Sequence, residues 1–217
     1  IVLLEPEPLT LIENISDFSG YQISCNSGND GSIELLINGG CTNPPDNYQI
    51  EWTAVDSDGT SINLGEQINS QNLTNLSAGT YSVLVTDDNL CFEPLVINLT
   101  EPPLDLEVTY ENPNSEDFNG FGVACYGNEN GEIVLDISGG IPPYDVIWTD
   151  SENNTVSLEE NILGPESSIN GLSAGEYIVT VTDANNCDFT IEFEEDIEIS
   201  SPEELILTAD AVEHEGG

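Results

Sequence analysis

The sequence predicts an all-β chain of tandem β-sandwich domains, on three observations. The sequence repeats itself at an interval of about one hundred residues. Short alternating or β-branched runs recur at regular spacing, with Gly, Asn, Pro and Asp between them. No window sustains a 3.6-residue period with a cap and a stop, so almost no helix is expected.

The repeat is read residue by residue. Cys25, Gly-Asn-Asp-Gly at 28–31 and SIELLINGG at 32–40 face Cys125, Gly-Asn-Glu-Asn-Gly at 127–131 and EIVLDISGG at 132–140. Pro44, Pro45, Tyr48 and Trp52 face Pro142, Pro143, Tyr144 and Trp148. LSAGTYSVLVTDDNLC at 76–91 faces LSAGEYIVTVTDANNC at 172–187. The offset shrinks from 100 to 96 through loop differences, not within the strands. At the ends, 1–12 and 201–209 both resemble 96–108, so the chain reads as a piece of a longer array. The expected organisation is 1–6 as the end of a preceding repeat, 7–101 and 102–201 as complete repeats, and 202–217 as the start of another.

Strands are expected in chain order at 9–15, 21–25, 32–38, 48–52, 81–87 and 93–100 in the first repeat. In the second they are expected at 105–110, 121–125, 132–138, 144–150, 177–183 and 189–194. Trp52 and Trp148 sit where an immunoglobulin-like third strand places its core Trp. Tyr81 and Tyr177 follow Leu-Ser-Ala-Gly, as in a tyrosine corner. All four are expected in the core, and the fold class is therefore immunoglobulin-like, with the domains head to tail in a rod.

Composition excludes many functions. The chain has 42 Asp and Glu, no Lys or Arg, one His and a net charge of −42. An ordinary domain of this size carries about 25 basic residues. Nothing here neutralises phosphates, so nucleic acid is excluded as a partner, and so is a polybasic membrane patch. Schiff-base, P-loop and arginine-finger chemistry lack their residues. No stretch reaches 18 apolar residues, so direct membrane insertion by a helix is not expected. The residues from Ile1 onward show no charged n-region or cleavage site, so a signal peptide is not expected within this sequence.

The order Cys-x-Gly, Gly-Gly-x-Pro-Pro-Tyr, Trp, Leu-Ser-Ala-Gly-x-Tyr-x-Val-x-Val-Thr-Asp and Asn-x-Cys resembles the SprB repeat. The second repeat follows it more closely. In the first, two residues separate Pro45 from Tyr48, and Leu90 precedes Cys91. The resemblance implies a repeat segment of a long extracellular adhesin of gliding Bacteroidetes. Such a protein is secreted by the type IX route, associated with the outer membrane at the cell surface, and carried along it during gliding. It implies no catalytic residue, and neighbouring repeats of the same chain are the implied partners. The alternative is that each repeat binds a glycan or another surface. Phe18, Phe118, Tyr110 and Tyr126 are the candidate contact aromatics, with strand or turn packing as their plainer role.

Five cysteines in an acidic array suggest an oxidising setting. If the fold is immunoglobulin-like, Cys25 and Cys91 lie at opposite poles, separated by a strand of about 20 Å, too far for a bridge. The expected pairs are Cys25–Cys187 between repeats and Cys41–Cys91 within the first, with Cys125 bonding forward to the next repeat. One bridge inside each repeat, Cys25–Cys91 and Cys125–Cys187, stays open as the alternative.

Calcium is the candidate ion. Asp56-Ser-Asp58-Gly59 has the start of a calcium loop but lacks its remaining ligands. Asp56, Asp58, Asp87 and Asp183 are the candidate ligands, with Asp30, Asp88 and Glu101 nearby in turns or linker. The plainer role of Asp in such places is turn geometry. Enzyme chemistry is not expected, because the single His214 lies in a Gly-ended tail and no His/Cys cluster has zinc spacing. Asn-x-Ser/Thr triplets at Asn14, Asn72, Asn75, Asn98 and Asn153 are expected by chance in an Asn-rich chain.

Overall fold

The computed structural model describes residues 5–41, 48–111, 113–114, 118–191 and 197–209. Pro44, Pro45 and His214 lie outside them. The chain divides into two compact units. One holds the described residues up to Leu106, with 139–142 and 183–187. The other holds Glu107–Ser138, Pro143–Thr182 and the described residues from Asp188 onward.

In the first unit, β1 (Thr10–Ile15), β2 (Gly31–Asn38) and β4 (Asn72–Leu76) form one antiparallel sheet in the order β1-β2-β4. β3 (Gln49–Val55), β5 (Gly79–Thr86) and β6 (Phe92–Leu99) form the other, in the order β3-β5-β6. The period-2 pattern explains the layering. Along β2, Ile33 and Leu35 are buried while Glu34 and Leu36 face out. Along β5, Tyr81, Val83 and Val85 are buried. Side chains of both sheets, Trp52, Leu73, Ile97 and Leu99 among them, share one core. Truncating Ile33 or Leu35 to Ala there costs about 2–5 kcal/mol.

The second unit repeats the plan. β7 (Glu107–Tyr110), β8 (Gly131–Ser138) and β11 (Glu166–Leu172) form one sheet. β9 (Tyr144–Asp150), β10 (Thr155–Ile162), β12 (Gly175–Thr182), β13 (Asp188–Ile191) and β14 (Ile197–Ile199) form the other. β13 and β14 both pair with β12, at its two ends. The repeats differ after their third strand. The first has a 3-10 turn at Gly65–Asn69 where the second has the ladder of β10.

Two sequence expectations are corrected. Residues 21–25 and 121–125 are not strands. Gln22 and Ile23 both donate their N–H to the Thr100 carbonyl, and Ser24 donates to Asp30 Oδ1. Gly122, Val123 and Ala124 repeat this with Ser200 and Asn130. The apparent alternation there reflects one inward plug, Ile23 or Val123, each fully buried. Conversely, β4, β10, β11 and β14 were not expected. β4 and β11 each carry a bulge, between Gly31 and Ser32 of the β2–β4 register and between Asn170 and Leu172 of β11. The extra residues, Asn75 (φ 56°) and Gly171 (φ 75°), are types that enter the left-handed region readily. Such a polar, bulged run hides its period.

No helix among the described residues is long and apolar enough to cross a membrane.

Candidate functional site: two aspartate clamps and the cysteines

Trp52 and Trp148 are buried in their respective cores. The Trp52 indole donates to the Ser70 carbonyl at 2.8 Å, whereas Trp148 Nε1 has no partner among the described residues. Tyr81 and Tyr177 are buried and close tyrosine corners, donating to the carbonyls of Ser77 (2.8 Å) and Ser173 (2.9 Å). Burial holds both phenols above their ordinary pKa.

The chemistry-bearing groups gather in the hairpin loops after β5 and β12. Asp87 is buried at the first. Its Oδ1 accepts the N–H groups of Asn89 (2.9 Å) and Cys91 (2.8 Å), and its Oδ2 accepts that of Cys41 (2.9 Å). Asp183 is buried in the same way. Its Oδ1 accepts from Asn185 (2.8 Å) and Cys187 (2.9 Å), and its Oδ2 from Ile141 (2.8 Å). The N–H bonds, foremost that of Cys41, hold the Asp87 carboxyl below the ordinary carboxylate range against the opposing effect of burial.

The glycine pairs make room for these clamps. Gly39 and Gly40 (φ 76° and 71°) and Gly139 and Gly140 (φ 69° and 57°) are left-handed. A Cβ on Gly39 would strike the Pro8 carbonyl, and one on Gly139 the Asp105 carbonyl. Gly40 and Gly140 lie directly against the Asp87 and Asp183 carboxylates.

Cys25 and Cys187 are joined by a disulfide, with Cα atoms 5.8 Å apart. Residues 183–187 belong to the first compact unit, and Asn185 binds there as well. Its amide donates to the carbonyls of Ser24 (3.0 Å) and Phe18 (3.4 Å). Asn185 was missed in the sequence, although an Asn two residues after the Asp in both repeats was a usable signal. Closing a loop with a sequence separation of 162 removes considerable entropy from the unfolded chain.

The Cys41–Cys91 pair is corrected, because Cys41, Cys91 and Cys125 are all free thiols. Asp87 already joins the two loops through their backbone N–H groups, an arrangement that needs no sulfur. Ile141 fills the place of Cys41 on the second clamp with the same two backbone bonds.

The calcium candidates are not brought together. Among the described residues, no group of three or more His, Cys, Asp or Glu is placed to hold a metal. Asp56 Oδ1 accepts the N–H groups of Asp58 and Thr60, which makes the Asp-x-Asp-Gly run a turn. The second repeat builds the same turn on Asp150, with Glu152 and Asn154 as donors and Asn153 (φ 62°) in the role of Gly59 (φ 80°). Asp30 and Glu101 cap the backbone N–H groups of Ser24 and Ser27. Of the aromatic candidates, Phe18 and Phe118 are half-buried, Tyr110 is at the margin of exposure and Tyr126 is 60% exposed.

The family model of the SprB repeat matches residues 123–153. Among solved structures, the tetra-tandem repeat in the extending region of a large adhesion protein is 16% identical, with a TM-score of 0.32. That match covers 85% of this chain and 48% of that one. The BSP domain of a biofilm-associated protein is 14% identical, with a TM-score of 0.28, covering 82% of this chain and 28% of that one. A segment of two fibronectin type III domains from chicken tenascin is 13% identical, with a TM-score of 0.27, covering 89% and 94%. This chain therefore spans about half of the first and about a quarter of the second. No curated protein matches the chain.

Proposed function

We propose that this chain is a repeat segment of an extracellular adhesin, serving as a spacer that holds a binding region away from the cell. The observation that carries this reading is the tandem β-sandwich repeat closed by the Cys25–Cys187 disulfide. A bond of this kind persists in oxidising, extracellular settings. The match to the SprB repeat at 123–153 supports the same reading, and with it a place on the outer surface of a gliding cell reached by type IX secretion. The net charge of −42 suits a surface filament, because like-charged filaments resist bundling.

The test is surface labelling of intact source cells with an antibody to this chain, combined with thiol mapping of the native protein. Labelling without permeabilisation and an oxidised Cys25–Cys187 pair are expected. Labelling only after permeabilisation overturns the reading.

A further inference from the structure

The Cys187 loop and the Cys91 loop are the same device. In each, a buried Asp accepts the N–H of the Cys and of an Asn two residues before it. In each, the Asp N–H donates back to the Cys carbonyl at 2.9 Å. The residue before the Cys is left-handed in both, Leu90 at 66° and Asn186 at 63°. Asn185 and Cys187 grip the turn of residues 18–25 through an amide and a disulfide. Asn89 and Cys91 present the same amide and the same sulfur, and Cys91 is an exposed thiol.

The complementary turn is duplicated as well. Cys125 stands in the place of Cys25, and its carbonyl accepts the Asn128 N–H at 3.1 Å as the Cys25 carbonyl accepts that of Gly28 at 3.0 Å. Val123 plugs its core as Ile23 does. Cys125 is also an exposed thiol. The chain therefore carries one filled copy of a socket and turn, and one open copy of each.

We propose that Asn89 and Cys91 form a docking socket for the Cys125 turn of a second copy of this chain, sealed by a Cys91–Cys125 disulfide. The Asn89 amide donates to the carbonyl before that cysteine, Ala124, as Asn185 does to Ser24. Sealing needs a disulfide oxidant, and oxidised glutathione suffices. The two thiols give up two protons and two electrons, one sulfur–sulfur bond forms, and the oxidant is cleaved to two reduced glutathiones. Since each copy offers one socket and one turn, the contact is head-to-tail and can join more than two copies. This goes beyond the spacer reading and does not depend on where the chain acts.

The experiment oxidises the purified chain in a glutathione buffer at physiological salt. Products are resolved on non-reducing gels and mapped after Glu-specific cleavage, since trypsin has no site. A ladder of multimers joined by Cys91–Cys125 peptides is expected, and Cys41→Ser leaves it intact. Cys91→Ser alone and Cys125→Ser alone lose the ladder, yet their mixture gives a dimer and nothing longer. Asn89→Ala lowers the yield of joined chains several-fold at equal oxidant. Circular dichroism of each variant separates misfolding from loss of the bond, both thiols being exposed. A Cys41–Cys91 peptide as the main product overturns the proposal, as does a ladder that survives Cys91→Ser.

Discussion

Asp87 holds Cys91 from both sides: its carboxylate accepts the Cys91 N–H at 2.8 Å, and its own N–H donates to the Cys91 carbonyl at 2.9 Å. The loop is thus fixed by one ionised group, and its order depends on that group staying ionised. The folded chain lowers the Asp87 pKa, so it binds fewer protons than the unfolded chain in the carboxylate range. The contribution is full above the unfolded value of about 3.9 and is lost as pH falls through the lowered folded value. Thermal melts from neutral to strongly acid pH are expected to show this loss. Asp87→Asn should melt lower at neutral pH and fall less steeply in acid. Equal acid slopes in the two proteins would contradict the clamp.

The two core tryptophans separate packing from hydrogen bonding. Both are buried, but among the described residues only the Trp52 indole has a partner, the Ser70 carbonyl. Trp52→Phe should therefore cost its own sandwich about 1 kcal/mol more than Trp148→Phe costs the other. Denaturant melts of the two variants measure the difference.

Tyr81→Phe and Tyr177→Phe remove only the corner hydroxyls bonded to Ser77 and Ser173. Each is expected to lose about 0.5–1.5 kcal/mol, with the sheets unchanged by circular dichroism. No measurable loss would show that the corner bond is not used.

Salt should stabilise the chain generally. With a charge of −42 and no Lys or Arg, repulsion is unrelieved within the chain. The melting temperature is expected to fall on desalting, because the screening length grows from about 8 Å at physiological salt to about 30 Å at 0.01 M. Unchanged melting from low to high salt would refute the repulsion argument.

The fold class was legible because a half-buried strand writes its two faces into alternate residues, as in Ile33 and Leu35 against Ser32 and Glu34. The segments at 21–25 and 121–125 misled for the same reason. One buried Ile23 between Gln22 and Ser24, or Val123 between Gly122 and Ala124, looks like part of a short strand, although the segment's N–H groups bond a single carbonyl and a side chain. The bulged β4 and β11 were illegible because Asn75 and Gly171 each break the period. At the site, proximity of the loops holding Cys41 and Cys91 was inferable. That a carboxylate joins them by backbone bonds was not, because such bonds leave no side-chain pattern except the Asp itself.

The Cys25–Cys187 bond also decides which parts of the molecule feel a pull. Tension applied at the two ends of the chain crosses from residue 25 to residue 187 through sulfur. β2 to β12 then lie outside the force path, and β1, β13 and β14 carry the load. While the bond holds, the residues it encloses add no length when the chain is pulled out, and after reduction their unfolding does. With a separation of 162 residues and about 3.3–3.6 Å per extended residue, that length is about 530–580 Å. Single-molecule stretching before and after reduction should show this gain. Such a tether yields little under load while oxidised and pays out its reserve only where a reductant reaches it.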